Sequence, residues 1–256
     1  MLFLASVVKD WRAIPRTRLF KTTGDNKFIM KKILAMLFIV GLSAPAFAGT
    51  NLKTLTDRLD SAKAVVQEIE STPDKAIPMQ ITQSATCVGV IPGMIKGAFI
   101  FGGHRGKGVV TCRTGHGWSA PVFITMTGGS WGLQLGGQST DLILVAVNHK
   151  GFQSLIKSKF KIGAGASAAA GPVGRNTQMA TNWKLQSELL TWSRSRGLFA
   201  GIDLNGTAVT TDQGANDLFY HSYHTPEQIL KGEVLPPAAA VPFLETVARY
   251  FRISNE

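Results

Sequence analysis

Residues 86–113 read TCVGVIPGMIKGAFIFGGHRGKGVVTCR, and the way this stretch divides decides the fold. TCVGVIP, GAFIFGG and KGVVTCR are three strand candidates: short apolar and β-branched runs joined by glycine-bearing turns. Working outward, PVFITMT and WGLQLGG follow, with Gly128-Gly129 as a hairpin turn. DLILVAVN is almost wholly apolar, which predicts a central strand. Residues 150–157 suit a short helix, and KFKIGAGASAAAG a strand whose small residues imply close backbone approach. ELLTWSR and GLFAGIDLNG read as another strand pair. Of 27 glycines, 23 lie between Gly89 and Gly214, which fits many short strands and tight turns.

Outside this region the period changes. In 51–70, Leu52, Leu55, Leu59, Ala62, Val66 and Ile69 recur at helical spacing behind Asn51, a good N-cap. Pro78 suits the first position of a second short helix. Thr225-Pro226-Glu227-Gln228 has the form of a capping box, and Gly232 is its stop. A last helix from about Pro242 places Phe243, Val247, Tyr250 and Phe251 on one side. Helices at both ends of a strand-rich middle predict an α+β fold. The N-terminal amphipathic helix and the C-terminal helices pack on a Gly-rich, mainly antiparallel sheet or barrel-like core.

Further upstream, Met30-Lys31-Lys32, the apolar run Ile33–Leu42 and Ala46-Phe47-Ala48 have the three parts of a secretory signal peptide, with cleavage after Ala48. The apolar run is shorter than the ~20 residues a membrane span requires. Residues 1–29 read as a start-site overcall or an extended leader, 30–48 as the signal peptide and 49–256 as one domain. The expected location is periplasmic or exported, peripheral to the membrane.

The net charge of +11 overstates the basicity of the mature part, because eight Lys/Arg and two Asp/Glu precede Gly49, leaving +5. That balance suits an anionic membrane surface and argues against nucleic acid. Cys87 and Cys112, an even pair in an exported chain, predict one disulfide; two buried thiols are the alternative. In a simple meander of the three strands the two cysteines fall on strands one and three, which are not neighbours.

Motifs of catalysis fail on context. Gly128-Gly129-Ser130-Trp131-Gly132 matches the nucleophile elbow, with Asp141, Asp203 and His221 as paper partners. The elbow needs a helix after the serine, and strands follow here. Gly163–Ala168 resembles a dinucleotide fingerprint but opens no helix. GGHRGKG has Gly108 where a Walker loop needs Ser or Thr, and reads as a turn with Arg105 and Lys107 exposed. His221 and His224 lack a third metal ligand. The chain is expected to be no enzyme and to need no cofactor or metal.

VIPGMIKGAFIFGGHRGKGVV, GWSAP, WGLQLGGQSTDLILV, AAAGPVGR and SRSRGLFAGIDLNG, followed by NDLFY and ILKGEVLPP, stand in the order of a SYLF domain. The chain resembles an exported bacterial member of that family over about residues 51–250. The resemblance implies lipid binding without catalysis. It makes the 51–70 helix, with Lys53, Arg58 and Lys63, the counterpart of the family's lipid-binding helix, although its acids leave it near neutral. Two further basic places stand in the strand region: Lys96, Arg105, Lys107 and Arg113, and Lys157, Lys159 and Lys161 at period-two spacing. Asp141 and Arg175 sit within family motifs, where an ion pair or turn hydrogen bonds account for them as well as a ligand does. The expected partner is anionic phospholipid or a membrane surface; an exported scaffold for a protein or cell-wall partner is the alternative, and a hydrolase a distant third.

Overall fold

The structure is a computed structural model that describes residues 50–72, 76–98, 101–131, 136–171, 187–195, 198–199 and 204–252. The start-site and signal-peptide readings, Arg175 and Asp203 lie outside these residues. The described residues fall in one compact unit, Thr50–Glu256.

Helix α1 spans Leu52–Glu70, and the Asn51 side chain accepts a hydrogen bond from the Thr54 amide at 2.9 Å. Of its predicted stripe, Leu55, Leu59, Ala62, Val66 and Ile69 are buried, but Leu52, in the first turn, is 42% exposed. A short helix α2, Met79–Ser84, leads into the sheet; Pro78 is its extended N-cap rather than its first helical residue.

The stretch 86–113 forms two long strands, not three short ones: β1 Cys87–Ala98 and β2 Phe101–Thr114. Pro92-Gly93 does not end a strand. The β1 register slips by one residue against both neighbours, between Val90 and Ile95 on the β2 side and between Ile91 and Met94 on the other. Gly93, at φ +56, accommodates that bulge and donates its amide to Asp141 Oδ1 at 2.9 Å. GGHRGKG lies inside β2, so it is not a turn. Gly106 and Gly108 face the bulge, where β1 closes over them.

Two long strands also settle the cysteines. Cys87 and Cys112 are direct cross-strand partners on β1 and β2, bonded to each other with Cα atoms 3.9 Å apart. The meander that separated them rested on counting the bulge as a turn. With the two cysteines 25 positions apart, replacing both by alanine is expected to lose roughly 3 kcal/mol of stability. A denaturant midpoint that does not fall would contradict this.

The remaining strands are β3 Gly117–Trp118, β4 Val122–Trp131, β5 Gly136–Ala146, β6 Lys159–Lys161, β7 Ala168–Ala170, β8 Leu189–Ser195, β9 Leu198–Phe199 and β10 Ala208–Thr211, with helix α3 His149–Leu155 after β5. Gly128-Gly129 lies within β4, not at its turn. The predicted strand KFKIGAGASAAAG divides into β6 and β7 at Gly163, whose φ is +89. The described strands form one curled sheet in the order β6-β10-β4-β2-β1-β5-β8-β7. All its pairings are antiparallel except β7 with β8. The α+β reading with a mainly antiparallel sheet therefore stands.

Both faces of the centre are covered, which is why DLILVAVN reads as continuous apolar sequence. On one face Val90, Val109, Phe123, Ile143 and Trp192 pack against α1. Helix α4, Gln213–Tyr220, and helix α6, Val241–Tyr250, join them through Phe219, Phe243 and Val247. On the other face Ile91, Met126, Leu142 and Phe160 meet Ile229 and Leu230 of helix α5, Pro226–Leu230. The capping box at Thr225 and Gln228 is present, and Gly232 follows at φ +83. Helix α4 was not anticipated, although Ala215 and Phe219 carry its spacing.

Candidate functional site

Strands β2, β4, β10 and β6 are consecutive neighbours, and their registers align two lateral rows. Lys107 pairs with Thr125, Thr125 with Thr210, and Thr210 with Lys159. One step along, Arg105 pairs with Thr127, Thr127 with Ala208, and Ala208 with Lys161. Directly paired residues share a sheet face. The two basic segments read separately in the sequence therefore stand on one face, three strand spacings or roughly 14 Å apart, with a strip of threonines between them. This is the face that carries α1, since Lys107 and Val109 have the same parity. Arg105, Lys159 and Lys161 are exposed and have no acidic partner among the described residues.

The other basic residues are placed differently. Lys157 is exposed in the bend before β6. Lys96 pairs with His104, on the opposite sheet face from Arg105. Arg113 turns inward: its guanidinium donates to the carbonyls of Ala85, Thr82 and Phe251 and lies 4.7 Å from the Trp118 ring centroid. On α1, Lys53 meets Asp57 at 2.8 Å and Lys63 meets Asp60 at 3.5 Å. The apolar stripe of that helix is spent on the core.

Between α1, β1 and β2 lies a groove of about 720 Å³, open to solvent. Arg58 stands on its helical wall, Ile95 and the Pro92-Gly93 bulge on the second, Arg105 and Lys107 on the third. Asp57, held by Lys53, also lines it. The Arg58 side chain is only 9% exposed and lies 5.4 Å from the Phe123 ring centroid. Burial pushes its guanidinium down from the ordinary value, partly offset by Asp212. Asp212 Oδ2 is 3.0 Å from Lys107 Nζ and 4.0 Å from Arg58 Nη1. Asp212 occupies the N-cap of α4 yet makes no capping bond.

At the far end of α1, Glu70 Oε1 is buried without a hydrogen-bond partner among the described residues. Burial pushes this carboxyl from 4.5 up to about 7, against the hydrogen bond from the Ile77 backbone. Folded Glu70 keeps its proton to higher pH than the unfolded chain does, so its contribution to stability falls as pH rises from 4.5 to about 7 and is flat above. The loss is at most roughly 3 kcal/mol. Glu70→Gln is expected to raise the urea midpoint at pH 8 and to change it little at pH 5; equal gains at both would refute this.

Asp141 is a structural residue. Besides holding the bulge through Gly93, it accepts from Arg194 Nη2 at 3.1 Å, and Arg194 also pairs with Glu68 on α1. His221 is exposed at the end of α4, and His224 Nε2 lies 2.8 Å from Ser222 Oγ. No group of three metal-ligating residues occurs among the described residues.

Comparison with known proteins bears on this arrangement. Residues 127–250 match Ysc84, the family described as "Las17-binding protein actin regulator". LAS seventeen-binding protein 3 of Saccharomyces cerevisiae is 32% identical over 189 residues, covering 71% of this chain and 41% of the relative. The chain belongs to the Ysc84/SYLF family. Protein YSC84 of the same yeast is 33% identical over 175 residues, covering 67% of this chain and 37% of that one. SH3 domain-containing YSC84-like protein 1 of Bos taurus is 30% identical over 202 residues, covering 77% and 59%. This SYLF chain thus spans roughly two fifths to three fifths of the relatives it matches. The family match begins at Thr127 and includes Lys159, Lys161 and Asp212. Arg58, Arg105 and Lys107 precede it.

Proposed function

We propose that this SYLF domain is an exported, non-enzymatic protein that docks on anionic phospholipid at the envelope surface through the β2–β4–β10–β6 face. The observation that carries the reading is the register that sets Arg105, Lys107, Lys159 and Lys161 around exposed and half-buried threonines on one face. Arg105, Lys159 and Lys161, exposed and without acidic partners among the described residues, are available to lipid phosphates, each contributing ~1 kcal/mol near an anionic surface, while Lys107 is held by Asp212. Among the described residues no helix is long and apolar enough to cross a membrane. Peripheral docking by charge needs none. The signal-peptide pattern of residues 30–48 and the Cys87–Cys112 disulfide support an oxidising compartment outside the cytoplasm.

Co-sedimentation of the purified protein with vesicles tests the reading. Binding is expected with anionic phospholipid, absent with zwitterionic lipid alone and weakened by salt. No binding under any condition would overturn it. The second reading, a scaffold for a protein or polymer partner, is favoured by the name of the yeast relative LAS seventeen-binding protein 3 and by the family's description, both of which name a bound protein. Under it, capture of an envelope partner would persist at high salt.

A further inference from the structure

Arg58 is out of keeping with a purely structural role. Its Nη1 is buried and has no hydrogen-bond partner among the described residues, and the Asp212 carboxylate, at 4.0 Å, is too far to supply one. A buried guanidinium left with a distant counter-ion and an aromatic face is costly to fold. An unsatisfied buried group of this kind calls for an explanation, and here it borders a solvent-open groove. Asp212 breaks a local rule in the same place: it gives up capping α4 to meet Lys107 and Arg58.

We propose that the groove between α1 and the β1–β2 pair binds the phosphate of an organophosphate ester, with Asp212 as the internal counter-ion that this phosphate displaces. Arg58 and Lys107 supply fork and point charges suited to a phosphate, and Arg105 adds a third cation on the same wall. The ester's organic part has a place as well. Ile95, 64% exposed, is the direct cross-strand neighbour of Arg105, and Pro92 continues that wall. At about 720 Å³ the groove holds far more than an inorganic anion. Bound phosphate satisfies Arg58 and competes with Asp212 for Lys107. Asp57 on the helical wall stays neutralised by Lys53. The site shares Arg105 and Lys107 with the docking face but stands on Arg58, so it holds whether or not that face binds a membrane.

Calorimetric titration of the full protein with sn-glycerol 3-phosphate tests this, in the unaltered protein and in Asp212→Asn, Arg58→Gln and Lys159→Glu/Lys161→Glu. Asp212→Asn is expected to bind about tenfold tighter, since it removes the competing charge and breaks no cap, and Arg58→Gln about tenfold weaker. Lys159→Glu/Lys161→Glu should bind the soluble ester unchanged while losing anionic vesicles. If Asp212→Asn tightens binding only to vesicles bearing phosphatidic acid and not to the soluble ester, the phosphate comes from a lipid headgroup and the site stands. Equal affinity of Asp212→Asn and the unaltered protein for both probes, or no binding of either, would overturn the inference. Should Arg58→Gln fail to fold, Asp212→Asn decides. Soluble-ester binding without any vesicle binding would keep the groove and remove the docking reading instead.

Discussion

Charge reversal of Arg105, Lys159 and Lys161 together is expected to abolish co-sedimentation with anionic vesicles. Each of these cations is worth ~1 kcal/mol near an anionic surface, and reversal both removes the attraction and adds repulsion. Even after screening, the affinity should fall by more than about a hundredfold. The fold should tolerate the change, because all three side chains are exposed and unpaired among the described residues. The informative comparison is Lys53→Gln/Lys63→Gln on α1. Those lysines already meet Asp57 and Asp60, and the apolar stripe beneath them is packed in the core. They should lose little binding. If the helix variant releases the protein from vesicles and the sheet variant does not, the face is wrongly assigned and α1 must undock to bind.

Gly108→Ala is expected to be the most damaging single methyl group in the sheet. A Cβ at this position would lie 2.3 Å from the Val90 carbonyl oxygen and 3.0 Å from the Ile91 Cα, both backbone atoms of the bulged strand. Backbone in the middle of a ten-stranded sheet cannot rotate aside as a side chain would. The predicted loss is about 3 kcal/mol or more, a large part of a typical domain's stability. Gly214→Ala is the control. It lies in α4 with open space around its added methyl and should be neutral or stabilising by up to ~1 kcal/mol. Denaturant midpoints of the two variants check both. A Gly108→Ala midpoint like that of the unaltered protein would mean that β1 can shift at the bulge.

The helices were legible because their signals are local. Asn51 with the Leu55, Leu59, Val66 spacing, and Thr225-Pro226 with Gln228, specify helix starts through contacts three and four residues away. Strand boundaries were less so. Pro92-Gly93 and Gly128-Gly129 carry the composition of turns, yet both lie inside strands. A glycine that permits a bulge and a glycine that makes a turn look alike in one sequence, and only the partner strand says which it is. The same holds for Gly106 and Gly108, which are small because β1 passes over them, not because the chain turns.

The candidate site divides the same way. Residue type alone marked Arg58, Arg105, Lys107, Lys159 and Lys161, since Lys and Arg on strand-forming or helical segments are cheap to recognise. Their grouping was not legible. Lys107 and Lys159 are 52 positions apart, and they meet on one face only because β10 inserts between β4 and β6. Asp212 drew no notice, because its role is set by the distance to two cations from other elements. The sequence by itself determined the α+β class, the terminal helices, their apolar faces, the expected cysteine pair and the family pattern, all of which follow from periodicity, composition and motif order. The tertiary structure alone decided the strand lengths, the direct cross-strand placement of Cys87 and Cys112, the shared basic face and the buried Arg58. Each of these depends on register between distant segments, where one residue of slip moves every side chain to the opposite face.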